Sequence, residues 1–175
     1  YFSWLGIEPL PEEGTYFQRW WRYADAHLKQ PPAPLAEQFE TEQQWREFRD
    51  QRFEQTNRRP WKAADEPEVV RWLKRNEEPL AFLNQLPARS RYYNPLVSLP
   101  DGPRPQLFHL TIPTIQASRN LAEALLCRAM LATGEERYEE AWQDLLICHH
   151  LGDRMAQGGG AIIEVLIGTA ILSRV

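Results

Sequence analysis

The chain has 175 residues, and 43% of them are hydrophobic, including seven tryptophans. This length and composition indicate a globular chain with a substantial core and exclude a disordered one. Its 20 basic and 24 acidic side chains leave a net charge of −4, so no nucleic-acid partner is expected.

Proline divides the chain into two portions, because all 14 prolines lie at or before Pro113. Proline interrupts helix interiors but suits helix starts and extended segments. We therefore predict an all-α fold, with irregular short helices over 1–112 and an antiparallel, helical-repeat-like array of longer helices over 113–175. We expect the two portions to form one compact unit, with Pro113 opening the first long helix.

Three helices are predicted in the first portion. Residues 15–29 place aromatic side chains on one face and stop before two prolines. Thr41 and Gln44 form a capping-box pattern at the start of a helix over 41–56. Residues 65–82 indicate a helix capped by Asp65, which Pro79 either kinks or divides.

The segment 86–112 is rich in proline, shows little periodicity and is predicted to be a long irregular connection. It carries the first candidate binding residues, Arg91, Tyr92 and Tyr93, because cations beside aromatic rings can bind sugars or single-stranded nucleic acid by stacking. Acidic residues scattered among the nearby cations argue against a continuous basic groove. The favoured interpretation is that Tyr92 and Tyr93 pack the segment onto the helices.

Residues 119–155 indicate two amphipathic helices folded back on each other at Gly134. A period near 3.6 predicts a buried face on the second helix, with Ile147 breaking the pattern and Asp144 on the solvent side. That face comprises Tyr138, Ala141, Leu145, Cys148 and Met155, with Trp142, Leu146 and His149 beside it. The core predicted for the whole chain comprises Trp20, Trp72, Leu125, Ala129, Ala141, Trp142, Leu145, Ile163 and Leu166.

The run Gly134 to Ala141, with Leu145, Cys148 and Leu151 following, resembles the turn and second helix of a tetratricopeptide unit. The resemblance implies that glycine closes the turn and that small residues let the paired helices approach. No second copy lies at an offset of about 34 residues, so the likeness covers a helical hairpin over 119–155 and not an array. Elsewhere the chain resembles bacterial proteins without an assigned function.

Few residues suggest catalysis or metal binding, and no phosphate-binding, nucleophile or zinc motif is present. His149 and Asp153 share a helix face, but zinc needs three or four ligands, so neither a metal nor another cofactor is predicted. We expect His149 to be half-buried and His150 solvated. Three consecutive glycines at 158–160 are interpreted as a turn rather than an anion site.

Glu164 is the single residue that most strongly suggests a functional site, because apolar residues surround it in a predicted helix over 161–172. We interpret that helix as a buried core element, since about 20 apolar residues are needed to span a membrane. A buried carboxylate would be paired with an arginine or would have a raised pKa suited to acid–base chemistry. The favoured interpretation is that Glu164 lies on an exposed stripe of this helix or forms a structural ion pair.

The leading functional hypothesis is a non-catalytic helical scaffold or protein-interaction module, because stacked hairpins present a surface for another protein or peptide. One alternative is an enzyme or carbohydrate-binding domain that uses the aromatic N-terminal helices and the 86–112 segment around Glu164 or His149. Another is a structural subdomain of a larger membrane-anchored protein. The chain starts without Met and stops inside an apolar helix, so we expect a piece of a longer protein, whose removed signal or anchor would place it in the cell envelope or export it.

Overall fold

The computed structural model describes residues 17–89, 97–98, 110–111, 113–158 and 161–175. The all-α class predicted from the sequence is confirmed, since the described strands are a single antiparallel pair of two residues each, β1 (Val97–Ser98) and β2 (Leu110–Thr111). The α-helices are α1 (Trp20–His27), α2 (Glu42–Thr56), α3 (Pro67–Arg75), α4 (Glu77–Phe82), α5 (Pro113–Gly134), α6 (Tyr138–Gly158) and α7 (Ile162–Leu172). Two 3-10 helices lie at Ala33–Gln38 and Leu83–Ala88.

Helix α1 starts later than the sequence predicts, because tertiary hydrogen bonds hold Gln18 in a non-helical conformation. The Gln18 backbone N donates to Asn76 Oδ1 at 2.7 Å, and its carbonyl accepts from Trp72 Nε1 at 2.6 Å. The predicted cap of α2 is confirmed, since Thr41 Oγ1 accepts from the Gln44 backbone N at 3.2 Å. The start of α2 is therefore set by a residue within one helical turn, whereas the start of α1 depends on hydrogen bonds to Trp72 and Asn76, which are distant in sequence.

The predicted helix over 65–82 is two helices, and the break falls at Asn76 between α3 and α4 rather than at Pro79, which lies inside α4. Asp65 does not cap α3, so that prediction was wrong. Asp65 instead accepts a hydrogen bond from the Lys62 backbone N at 3.0 Å in the preceding turn. The cap position belongs to Glu66, whose side chain makes no capping bond.

Helix α5 begins at Pro113 as predicted, and the chain reverses between α5 and α6. Within the described residues, the only non-glycine residue with positive φ is Glu136 in this turn, at 62°. Gly134 has another role, because a Cβ added there would lie 2.0 Å from the Trp61 carbonyl oxygen. Glycine is needed at 134 for the close approach of the Trp61 backbone.

The core joins both portions of the chain in one cluster. Trp20 stacks on Phe53 with ring centroids 4.6 Å apart, and Trp72 meets both rings edge-on. Leu125 of α5 and Ile171 of α7 belong to the same cluster. Of the predicted core residues, Trp20, Trp72, Leu125, Ala129 and Ala141 are buried.

The buried face of α6 differs from the predicted one, because Trp142 and Tyr138 are exposed. Asp144 and Ile147 are buried instead, while Leu145 is half-buried. Asp144 turns inward since its carboxylate is bound by Arg128 of α5, which offsets the cost of burying a charge.

Helix α7 is not buried all round, so the prediction of core positions at Ile163 and Leu166 was wrong. Its buried residues are Glu164, Gly168 and Ile171. The Gly168 face of α7 is turned towards α6, because glycine lets the backbones of these two helices approach each other. A Cβ on Gly168 would lie 2.5 Å from the backbone N of Ala156 in α6. Across the described ranges, no helix combines the length and the apolar character needed to cross a membrane.

Candidate functional site: the α6 seam

One stripe of α6 follows the spacing by which helices pair along their length. Its members recur at intervals of four, three, four, three and four residues, which is the heptad spacing of paired helices. We call this stripe the α6 seam, and its residues are Tyr138, Trp142, Leu145, His149, Gly152 and Ala156. It is distinct from the stripe through Ala141, Asp144, Cys148 and Leu151 that α6 buries.

Helix α7 covers the C-terminal end of the α6 seam. A Cβ on Gly152 would lie 3.0 Å from both the Gly168 carbonyl oxygen and Leu172 Cγ. Gly168 in turn lies against the backbone of Gly152 and Ala156. A helix packed along the seam is therefore already part of the fold.

The N-terminal end of the seam is open. Tyr138 is 63% exposed and Trp142 is 59% exposed, although both are large aromatic residues. Leu145 is half-buried at the base of this end, and His149 is exposed where α7 stops covering the stripe. From Tyr138 to His149 the open part extends about 16 Å, or three helical turns.

The solvent-facing flank of the seam is acidic. Heptad spacing places Glu139, Leu146 and Asp153 in one row along this flank. Leu146 is 40% exposed, and Glu139 is also exposed. Neither this row nor the next one outward, Gln143 and His150, contains a lysine or arginine. Glu139 is the acidic member of this row that lies beside the open part of the seam, because Asp153 lies beyond His149, is half-buried and accepts a hydrogen bond from Gln157.

The opposite side of α6 is fixed to α5 by Arg128 and Asp144. Arg128 Nε donates to Asp144 Oδ2 at 2.8 Å and Nη2 donates to Oδ1 at 2.5 Å. Burial raises the pKa of Asp144 above its ordinary value, and the hydrogen bonds from Arg128 oppose that shift. A two-point bond restricts rotation of α6 about its axis, so the seam is presented in one orientation.

Of the residues predicted as sites, His149 is exposed and not half-buried, and it belongs to the α6 seam. His150 is half-buried and not solvated. Both predictions fail because α6 is rotated relative to the predicted face. The remaining sequence candidates, Arg91, Tyr92 and Tyr93, lie outside the described residues.

Glu164 does not lie on an exposed stripe, since only 1% of it is exposed. Its Oε2 accepts a hydrogen bond from the Ala161 backbone N at 3.0 Å, which caps the first turn of α7. Glu164 is buried whereas His149 is exposed, so the two candidates lie in different environments.

Metal ligation finds no support in the part of the chain that the structure describes, where no three His, Cys, Asp or Glu side chains converge on one point. Cys148 is buried beside the Ala122 carbonyl, and burial raises the pKa of its thiol to about 12. A thiol in that state is a poor ligand and a poor nucleophile.

The sequence predicts one buried face on α6, and the open part of the seam was not predicted. The available signal was the width of the apolar surface of α6, because Tyr138 and Trp142 extend it beyond Leu145, which packs against Ala129 and Ala132 of α5. Comparison with protein-family models, with curated proteins and with solved structures finds no match to this chain. A functional assignment therefore depends on the geometry of the α6 seam.

Proposed function

We propose that this chain is a helical protein-interaction module that holds an amphipathic helix of a partner protein along the open end of the α6 seam. The observation that carries the proposal is the exposure of Tyr138 and Trp142 in heptad register with the part of the seam that α7 covers. We infer further that α5 and α6 are a tetratricopeptide-like hairpin, with α7 as the next helix of a repeat-like array.

A helix fits the open seam better than an extended peptide, because the seam continues the stripe of α6 on which α7 already packs. Helices recognise one another through side chains at heptad spacing, which sit between those of the facing helix. An extended strand needs an exposed sheet edge for its backbone hydrogen bonds. The α6 seam offers side chains and no free strand edge.

The acidic flank defines the charge of the partner. Glu139 would lie beside a flanking position of a helix docked on the open part of the seam. Lysine or arginine at those positions would be attracted, whereas glutamate or aspartate would be repelled. The expected partner helix therefore has aliphatic residues along its contact stripe and basic residues beside it.

The outer side of α7 also favours an interaction module. Ile162, Ile163 and Leu166 are 81%, 43% and 59% exposed. Monomeric proteins rarely leave large aliphatic side chains clustered at the surface, and such clusters usually mark contact surfaces.

A display library of helical peptides tests the proposal. Each peptide has about three heptads, with leucine fixed at the contact positions and all flanking positions randomised. We expect peptides selected on the wild-type chain to be enriched in lysine and arginine at the flank facing Glu139. Trp142→Ala should weaken their binding about 30-fold, or about 2 kcal/mol, because a central tryptophan usually dominates such an interface.

Phe82→Ala is the matched control, since Phe82 is an aromatic residue of similar exposure, 56%, on α4. It should leave the dissociation constant unchanged. The proposal is contradicted if no helical peptide is enriched, or if the selected peptides bind the Trp142→Ala variant as tightly as the wild type. A chain that dimerises in sedimentation through Trp142 would also contradict it, because the seam would then bind a second copy.

A further inference from the structure

A second surface feature is the side of α7 that faces away from α6. Its residues are all exposed, and with 3.6 residues per turn they fall within about one third of the circumference of the helix. We call this side the α7 outer face, and its residues are Ile162, Ile163, Leu166, Thr169, Ala170 and the capping residue Ser173. None of them belongs to the α6 seam.

The α7 outer face carries no charge. Glu164 is the only ionisable residue between Ile162 and Ser173, a range that the structure describes completely, and it is buried. The solvent side of a surface helix ordinarily presents charged and polar residues. Three large aliphatic side chains are exposed here instead, so the face is suited to contact with another apolar surface rather than with water.

The two hydroxyl groups of the face already have acceptors within the helix. Thr169 Oγ1 donates to the Val165 carbonyl oxygen at 2.9 Å. Ser173 Oγ donates to the Ala170 carbonyl oxygen, also at 2.9 Å. Covering a hydroxyl is costly when its hydrogen bond to water is lost without replacement. Since both donors are satisfied, an apolar surface can cover them at little cost.

Side-chain size divides the α7 outer face into two halves. All its large aliphatic residues lie in the half nearer the start of α7, and only small residues lie in the other half. If two copies of α7 run antiparallel, Leu166 lies opposite Ala170 of the second copy. Ile163 lies opposite Ser173 of the second copy in the same register. Large side chains then fill the space beside small ones, which packs facing helices closely. A parallel pair would place Ile163 against Ile163 and leave a gap along the small half.

A second copy suits this face better than a membrane surface. Contact across a two-fold axis brings the same face of both copies together, so a charge at its centre would lie near its own image and be repelled. A face without charges avoids that repulsion. Helices that lie on membranes are usually rich in lysine and arginine on their polar side. Helix α7 has neither, and Arg174 beyond its end lies 3.8 Å from Glu123.

We propose that the chain forms a homodimer in which the α7 outer faces of two copies pack antiparallel about a two-fold axis at the level of Gly168. Helix α7 has 11 residues and is about 16 Å long, so the contact is at the small end of specific interfaces. We therefore expect weak, reversible association, with a dissociation constant on the order of 100 µM. The contact excludes Tyr138 and Trp142, so it does not depend on the partner helix proposed for the α6 seam.

Sedimentation equilibrium of the intact chain tests the proposal over concentrations of about 10 to 500 µM. We expect a reversible equilibrium between monomer and dimer in the wild type. Leu166→Lys should weaken association about tenfold or more, because each lysine would lie near that of the second copy at the centre of the contact. Leu166 is 59% exposed, so the variant should keep the fold, which circular dichroism checks.

Phe82→Lys is the matched control, since Phe82 is a large apolar residue of similar exposure, 56%, on α4. Phe82→Lys and Trp142→Ala should both dimerise as the wild type does. The proposal is overturned if the wild type stays monomeric over the whole range, or if Leu166→Lys dimerises as the wild type does.

Two further results would overturn the proposal and identify another contact. A dimer that is lost in Trp142→Ala but kept in Leu166→Lys would assign the association to the α6 seam, and would contradict the proposed function as well. A chain that stays monomeric but binds phosphatidylcholine vesicles through Leu166 would assign the α7 outer face to a membrane surface.

Disulfide formation between introduced cysteines tests the orientation of the two helices. One chain carries Leu166→Cys and the other carries Ala170→Cys, while the native Cys127 and Cys148 are buried. On mild oxidation, the antiparallel contact predicts more covalent dimer in an equal mixture of the two chains than in either chain alone. If the Leu166→Cys chain alone forms the most covalent dimer, the antiparallel arrangement is overturned.

Discussion

Arg128 of α5 and Asp144 of α6 form a two-point ion pair across the helical hairpin, with N–O distances of 2.8 and 2.5 Å. Asp144 is 5% exposed, so its carboxylate depends on Arg128 for stabilisation. Asp144→Ala would leave the guanidinium without this partner. Because 29% of the Arg128 side chain is exposed, water offsets part of the loss. We expect the free energy of unfolding in urea to fall by about 2 kcal/mol.

The double variant Arg128→Leu with Asp144→Leu is the control for this prediction. It removes both charges and leaves apolar groups at the contact, so at least half of the lost stability should return. An Asp144→Ala chain as stable as the wild type would show that the pair does not hold α6 against α5.

Gly168→Ala should destabilise the contact between α6 and α7. The added methyl group would lie 2.5 Å from the Ala156 backbone N and 2.6 Å from the Gly152 carbonyl oxygen. We expect a loss of about 1–3 kcal/mol in unfolding free energy, measured by urea denaturation. At an open helix position the same substitution would instead add about 1 kcal/mol. A stabilised Gly168→Ala variant would therefore refute the close packing of the two helices.

The turn after α5 makes opposite predictions for two neighbouring positions. Gly134→Ala should destabilise the chain by more than about 1 kcal/mol, because its Cβ would collide with the Trp61 backbone. Glu136→Gly should be neutral or slightly stabilising, since glycine adopts the positive φ of 62° without strain. Thermal unfolding of both variants checks the assignment. The reverse order of stability would contradict both the close approach of Trp61 to Gly134 and the positive φ of Glu136.

Alkaline pH should weaken the fold through its two thiols. Burial raises the pKa of Cys127 and Cys148 from 9.0 to about 12, so the folded chain holds these protons more tightly than the unfolded one. Their contribution to stability is fully present below pH 9.0 and is lost as pH rises from 9.0 towards about 12. The unfolding free energy should fall across that window, and Cys127→Ala should make the fall shallower.

A thiol reagent gives an independent measurement of the same burial. At a pH of about 8 the folded chain should leave both cysteines unmodified, whereas the chain unfolded in urea should react at both. Rapid modification of the folded chain would contradict the burial of these two residues.

The sequence predicts features of the fold that depend on local chemistry. Thr41 caps α2 and Pro113 opens α5, because each effect involves residues within one helical turn. Local chemistry does not predict which face of α6 is buried, since the inward position of Asp144 depends on Arg128 across the hairpin. The aromatic part of the core depends on still more distant relationships, because Trp20, Phe53 and Trp72 come from three separate helices.

The sequence predicts that Trp72 and Trp142 both lie in the core, but the structure buries only Trp72 of the two. Trp72 is 1% exposed, so Trp72→Ala should cost about 3–5 kcal/mol. Trp142 is 59% exposed, and Trp142→Ala should change stability by less than about 0.5 kcal/mol. Chemical denaturation of the two variants measures the difference directly. Comparable losses would mean that Trp142 is covered by the protein and that the seam is closed.

Charge reversal beside the α6 seam is the most direct test of the proposal that the seam binds a helix of a partner protein. Glu139→Lys reverses the charge beside the open part of the seam without altering Tyr138 or Trp142. The dissociation constants of a lysine-flanked helical peptide and of its glutamate-flanked counterpart are then compared on the wild type and the variant. We expect the wild type to prefer the lysine-flanked helix and the Glu139→Lys variant to prefer the glutamate-flanked one. An unchanged preference would contradict helix binding at the α6 seam.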